Sequence, residues 1–375
     1  MAKLTRRGSG TRDEVPAASA STAIAADGFD EAAEGIAPRG TADGALDLED
    51  RSIYASAPAD DSDNSAFLVR WFGWSMIWLL PAFFASTILT LTFGWPGPSW
   101  SGLGLAQILF YVAAIVIAAG FAGRRRLLPL RADAERIAGF NLYLVRACFL
   151  AVVFVGLGDA VISGLRVEGF LGDVVGVGLE RDLGRSQFRG PWVHVPLVAL
   201  AFLAAIPMRS LGFHWLALLI VLAELAIVIT RFVFSYEQAF MGDLVRFWYA
   251  ALFLFASAYT LIAEGHVRVD VFYAGFTNRT KGTVNAVGSI LLGITLCWTI
   301  IVIGMGGRSS IVYGAIANWE VSQSGFGLYV KYWMAAFLAV FAVTMLIQFV
   351  AYLFDAVADR RGRPGSRITG AAPAH

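Results

Sequence analysis

Read as runs of apolar and polar residues, the chain alternates long hydrophobic stretches with short polar breaks from about Phe67 onward. A helix that crosses a bilayer needs roughly 20 mostly apolar residues, because each residue rises about 1.5 Å through a hydrocarbon core about 30 Å thick. Eight stretches meet or approach that length: about Phe67 to Phe93, Leu105 to Ala122, Phe140 to Leu165, Trp192 to Met208, Leu211 to Ile229, Leu244 to Ala263, Val284 to Met305 and Leu328 to Phe354. The fourth is the shortest, with Pro196 and Pro207 inside it, so a re-entrant course stays open beside a full crossing. The pattern predicts an all-α fold, a polytopic transmembrane helical bundle of about eight spans.

The breaks between spans carry the orientation. GRRRLLPLRADAER, between the second and third spans, holds five arginines against two acids, and Arg360, Arg361, Arg363 and Arg367 close the chain. The break from Gly94 to Gly104 has no charge, while that from Arg166 to Pro191 balances four arginines with four acids. Basic connections stay on the cytoplasmic side. Both basic segments share a side only if an even number of spans separates them, a condition that eight spans with both termini cytoplasmic satisfy and seven do not. Trp71, Trp74, Trp78, Trp95 and Trp100 suit an interfacial aromatic belt or packing between helices, and the sequence leaves both open.

Residues 1–65 break the pattern. They are rich in Ala, Gly, Ser and Thr, hold thirteen acids against six bases, and show no apolar periodicity, so a disordered tail is expected. The basic start (Lys3, Arg6, Arg7, Arg12) has no apolar stretch behind it, which speaks against a cleaved signal peptide.

Composition agrees with a membrane protein: 57% of residues are apolar and 15% charged, against about 25% charged in soluble domains. A net charge of +1 gives no electrostatic reason to expect nucleic acid. Cys148 and Cys297 both lie in apolar runs and form neither a disulfide framework nor a CxxC motif. No GxxxxGK[ST], HExxH or complete GxGxxG occurs. The sequence motifs give no metal or cofactor site, and none is expected.

Two stretches are more specific than generic membrane sequence: AYTLIAEGHVRVDVFYAGFTNRTKG at 258–282 and NWEVSQSGFGLYVKYW at 318–333. Together with RFVF at 231–234, they resemble the small membrane subunit of TRAP (tripartite ATP-independent periplasmic) transporters. Gly265, His266, Arg268 and Asp270 match one family motif, and Glu320, Ser322 and Lys331 match a second, Glu-x-Ser followed by a lysine. Two departures stand out. SYEQAFMGDLVRF replaces the usual tryptophan and glutamate before the sixth span, with Asp243 as a substitute, and Met334, Ala335 and Ala336 stand where the family has a proline.

The resemblance covers about Leu211 to Asp359 and implies a division of the chain: 1–65 a disordered cytoplasmic tail, 66–209 an extra membrane region of about four spans, 210–359 the family-like four-helix domain, 360–375 a basic cytoplasmic tail. It further implies a multi-pass protein of the bacterial inner membrane that is not an enzyme. Its role would be to brace a large, elevator-type membrane subunit for sodium-coupled uptake of a solute delivered by a periplasmic binding protein. The partners so implied are the large subunit, the binding protein through the assembled complex, and membrane lipids. Readings from other classes are a self-sufficient channel or carrier and a membrane anchor of an electron-transfer complex.

Individual residues sharpen these expectations. In EGHVRVD, the polar His266, Arg268 and Asp270 alternate with valines, an arrangement that shares a face if extended but is scattered by about 200° per step on a helix. They are interface or lipid-headgroup candidates, with Glu320 and Lys331, or else a polar helix end reaching water. Thr277 or Thr280 is placed to cap the seventh span, and VFYAGF before it to lie in the membrane plane. Glu224 lies well inside the fifth span and Arg231 about 10 Å further along it, too far for an easy pair. Glu224 therefore points to a group on another helix or on a partner, as a cation or proton site or as a packing contact. Arg146 and Asp159 fall on roughly opposite faces of the third span and cannot pair with each other. His194 and His214 fall about one bilayer thickness apart, so no single haem bridges them. Small residues in GLGDAVISG at 156–164 suit close helix approach.

Overall fold

The computed structural model describes residues 64–208, 213–236, 238, 240–262, 271–321 and 328–363. The tail before residue 64, and His266, Arg268, Asp270 and Ser322, lie outside the described residues. Regular structure among the described residues is entirely helical: α1 (Asn64–Leu91), α2 (Gly102–Arg124), α3 (Leu130–Val167), the short α4 (Leu171–Val175) and α5 (Val177–Leu183), then α6 (Ser186–Arg189), α7 (Val195–Ala204), α8 (Phe213–Val233), α9 (Met241–Ile262), α10 (Asn278–Gly288), α11 (Thr295–Met305), α12 (Ile311–Ala317) and α13 (Lys331–Arg360).

Seven helical stretches of the described residues are long and apolar enough to cross a membrane, the α10–α11 pair counting as one. They fall on seven of the eight stretches read from the sequence, so the protein is a multi-pass helical bundle. The fourth stretch is a composite: α6 continues through a π-turn at Gly190–His194 into α7. There the Val195 N–H donates to the Gly190 carbonyl, one residue further back than in an α-helix. Pro196, which has no N–H to give, follows directly, and a widened turn accommodates its ring. A second π-turn, Ser289–Ile294, joins α10 to α11 where the Phe349 ring presses on Gly293.

Two boundaries differ from the sequence reading. α3 starts at Leu130, not Phe140, with Pro129 holding the extended conformation just before it. The sequence assigns these charges to the break between spans, whereas Arg131 and Asp133 are buried and paired within the helix. Residues 271–276, which the sequence sets in the membrane plane, form turns, with Val271 and Phe272 exposed. Thr277 does cap α10, its hydroxyl oxygen accepting from the Thr280 N–H at 3.3 Å.

Side-chain contacts fix the directions of α13, α7, α8 and α9 relative to α3. α13 runs antiparallel to α3, with Arg131 on Asp359 at one end and Asn141 on the Thr344 carbonyl further along. α7 descends along α3, placing the Phe202 carbonyl on the Tyr143 hydroxyl. α8 ascends again, bringing Tyr236 to Glu168 beyond the far end of α3. α9 descends, its Trp248 N–H donating to the Val152 carbonyl. Arg361, just past α13, donates to the Ser65 hydroxyl at the start of α1. The chain enters and leaves the bundle at one end, as an even number of traverses requires.

Glycines permit the closest crossings. A Cβ on Gly282 of α10 would stand 2.5 Å from the Arg360 nitrogen and 2.6 Å from the Ala356 oxygen of α13. On α3, Gly156 faces the Trp248 ring, Gly158 faces Leu197 and Gly164 faces Phe240, so GLGDAVISG does serve helix approach. Trp71 and Trp74 pack between helices, on the Ile115 carbonyl and the Phe121 ring of α2, whereas Trp100 is exposed. The core of the described residues falls into separate clusters that draw on the same long helices. One apolar cluster joins Leu80 of α1, Ile137 of α3 and Ile301 of α11 to Phe354 of α13, and another joins Phe149 of α3 to Phe255 of α9 and Phe337 of α13.

Candidate functional site: buried polar joints and an uncovered face

Asp159, deep in α3, is the centre of the most enclosed polar cluster. Its Oδ1 accepts from Arg189 Nη1 at 2.8 Å and lies 2.9 Å from His194 Nε2, while Oδ2 accepts from the Tyr329 backbone N–H at 2.7 Å. Arg189 also donates to Ser163 Oγ and to the Leu183 carbonyl, and its guanidinium lies 4.2 Å from the centre of the Tyr329 ring. The Trp333 indole N–H, which can only donate, points to His194 Nδ1 at 3.2 Å, and the Tyr332 hydroxyl meets the same nitrogen. Nδ1 is therefore an acceptor, and the imidazole proton sits on Nε2 and is donated to Asp159. The result is a neutral histidine and one ion pair with no net charge. The π-turn at Gly190–His194 and the absence of a side chain on Gly190, against which Trp319 packs, bring these groups together.

Both ring nitrogens of His194 are thus engaged, and haem ligation there would require breaking a buried ion-pair network. The sequence placed Asp159 inside a span and denied it Arg146 as a partner, and the structure supplies Arg189 and His194 instead. Arg189 had read as one charge of a neutral loop. The available signal was the cost of an unpaired carboxylate in a span, which demands a cation from elsewhere.

A second set of charges lies at the other end of α3, about 39 Å away at 1.5 Å per residue, comparable to a bilayer with its headgroups, about 40–45 Å. Arg70 of α1 donates to Asp133 Oδ2 through Nε at 2.6 Å and to the Leu128 carbonyl through Nη2 at 2.6 Å. Arg125 Nε is 2.9 Å from Asp133 Oδ1. Burial pulls the Arg125 guanidinium below its ordinary value, Asp133 pushes it back up, and Arg136 and Arg70 lower it further. On the opposite face of α3, Arg131 is held by Asp359 at 2.5 Å and Asp355 at 3.6 Å. These contacts, with Asn141 on Gln348, join the helices before residue 209 to α13 along its length.

The remaining sequence candidates are at the surface. α8 touches the bundle through Leu216, Ile220 and Ala223, and turns Val221, Leu222, Leu225 and Val228 outward. Glu224 is exposed on that helix, midway along it, and Arg231 is exposed near its end. Arg146 is half-buried on α3. Lys331 pairs with Glu320 at 2.6 Å, both nearly half exposed, and the Tyr332 N–H donates to the Glu320 carbonyl. This second pair of motif residues is thus brought together. Among the described residues no cluster of three or more His, Cys, Asp or Glu is arranged to hold a metal ion.

Comparison with known protein families places the C-terminal part of this architecture. Residues 219–359, less than half of the chain, match the family described as Tripartite ATP-independent periplasmic transporters, DctQ component. The match runs from α8 through α13, as the motifs had implied, and the apolar helices α1 to α3 and α7 precede it as an extension. Neither the curated proteins nor the solved structures gave a match.

Proposed function

We propose that this chain, whose residues 219–359 form a DctQ-type region of a TRAP transporter, is the small permease subunit that braces a large, elevator-type membrane subunit. In this reading the complex takes up a solute handed over by a periplasmic binding protein and couples its movement to sodium, and the chain itself carries no catalysis. The bundle is set in the bacterial inner membrane with both termini cytoplasmic, which puts its arginine-rich end on the side that retains basic segments.

The family match is the observation that carries the proposal, and the outer face of α8 supports it. A carboxylate at mid-membrane costs about 2.5–3.5 kcal/mol on insertion scales, yet Glu224 stands on an outward face among apolar side chains. A protein partner covering α8 would give that carboxylate a donor, which lipid chains do not. A fixed brace also fits the paired interior: Asp159 and Arg189 neutralise each other and lock α3 to the start of α13.

Affinity purification of the full-length chain from its native membranes tests the proposal. A much larger multispanning protein is expected to co-purify in fixed stoichiometry, and liposomes holding both, with the binding protein and a sodium gradient, are expected to accumulate solute. Full sodium-driven uptake by this chain alone would overturn the proposal.

A further inference from the structure

The two buried polar joints differ in a way the transporter reading does not use. At Asp159 one carboxylate meets one guanidinium and a neutral histidine. At Asp133 one carboxylate meets two guanidiniums, those of Arg70 and Arg125, both almost wholly buried. Arg70 Nη1, Arg125 Nε and Nη2, and Asp133 Oδ1 have no hydrogen-bond partner there, and Arg189 Nη2 has none at the other joint. Most buried polar side-chain atoms find a partner, since an unmet buried donor costs about 1–3 kcal/mol and more when it is charged. Arg131, two residues from Asp133, does not relieve this. It turns to the opposite face of α3, where Asp355 and Asp359 occupy it.

The surroundings add to the positive excess. Arg124, Arg126 and Arg136 are exposed around the same α2–α3 turn against one further acid, Glu135, and Arg126 lies over the Phe67 ring at 4.2 Å. Between them the turn presents two leucines to the outside, Leu127 at 71% exposure and Leu128 at 38%. A buried excess of positive charge at the end of a membrane bundle, ringed by exposed arginines and flanked by outward apolar side chains, matches an amphiphile whose anionic head meets the arginines while its chains lie on the leucines.

We propose that the α2–α3 turn, with Arg70, Arg125, Arg126 and Arg136, is a binding site for the phosphate headgroup of an anionic phospholipid. The headgroup oxygens accept from the exposed guanidiniums of Arg126 and Arg136, and the buried excess positive charge of Arg70 and Arg125 behind them adds to the attraction. The site lies entirely before residue 219 and stands whether or not the chain belongs to a transporter. It fastens the end of the bundle where α1, α2 and α3 meet to one leaflet.

The test uses the full-length chain in detergent, titrated with phosphatidylglycerol, phosphatidylcholine or inorganic phosphate, with bound lipid read by native mass spectrometry and binding by the rise in thermal midpoint. Phosphatidylglycerol is expected to bind in preference to phosphatidylcholine. Arg126→Gln and Arg136→Gln, which remove exposed side chains, are each expected to weaken it about fivefold, the factor equivalent to ~1 kcal/mol per surface arginine. Arg125→Gln is expected to weaken it as well. The exposed-site variants keep the test valid should Arg125→Gln fail to fold. Equal binding of the two lipids, affinity unchanged in the rim variants, or inorganic phosphate stabilising as well as the lipid would each overturn the assignment.

Discussion

Asp159→Asn is the sharpest probe of how the bundle is held together. The amide keeps the shape of the carboxylate but removes the charge that Arg189 meets at 2.8 Å, and Arg189 is fully buried, with Nη2 already lacking a hydrogen-bond partner. Breaking a buried pair by removing one partner typically costs about 3–5 kcal/mol, because the other charge is left uncompensated. The amide has a single oxygen, so it can accept from His194 and Arg189 or from the Tyr329 N–H but not from both sides, and its NH2 then faces a donor, which adds to the cost. At about 2–4 °C per kcal/mol for domains of this order, the thermal midpoint is expected to fall by at least ~6 °C. The assay is fluorescence-detected size exclusion of the heated, detergent-solubilised full chain. Arg189→Met, which replaces the guanidinium by an apolar side chain, is expected to recover part of the loss when combined with Asp159→Asn, with a coupling of roughly 1–3 kcal/mol. A midpoint within about 1 °C of the parent for Asp159→Asn, or strictly additive effects in the double variant, would refute the argument that this pair locks α3 to α6 and α13.

Other outcomes follow from the same contacts. Gly282→Ala is expected to destabilise by at least about 1–3 kcal/mol, since its Cβ would run into backbone atoms of α13. Gly288→Ala on the same helix has open space and is expected to be neutral or to stabilise by up to ~1 kcal/mol, so thermal midpoints of the two should move apart. Glu224→Gln is expected to leave the midpoint of the isolated chain within about 0.5 kcal/mol of the parent while lowering the yield of the co-purified large subunit; a loss of stability with unchanged yield would place its role inside the chain. Lys331→Gln removes a pair that is nearly half exposed and is expected to cost no more than ~1 kcal/mol, measured by the same thermal assay.

The spans were legible because a bilayer leaves few alternatives: a helix must be apolar for its whole crossing, and Leu105 to Ala122 or Leu244 to Ala263 cannot be read otherwise. Motif residues that lie close in sequence, such as Glu320 and Lys331, were also within reach. What escaped the sequence was pairing across helices. Arg189 is thirty residues from Asp159, and Asp359 is 228 from Arg131, separations along which no periodicity carries information. The same blindness moved the start of α3: Arg131, Asp133 and Glu135 read as loop charges until helices α1 and α13 supplied counter-charges for the first two. Glu224 was recognised as costly in its span, but only the packing of α8 revealed that it points outward.

The meeting of Ser65 with Arg361 bears on how the protein is made. On the proposed orientation, the connectors carried across the membrane include 92–101 and 168–185. The first of these holds no charged residue and the second is net acidic, with Glu168, Asp173, Glu180 and Asp182 against Arg181 and Arg185. Translocation machinery is therefore spared the hauling of arginine clusters through lipid, and successive helix pairs can be released sideways as hairpins while synthesis continues.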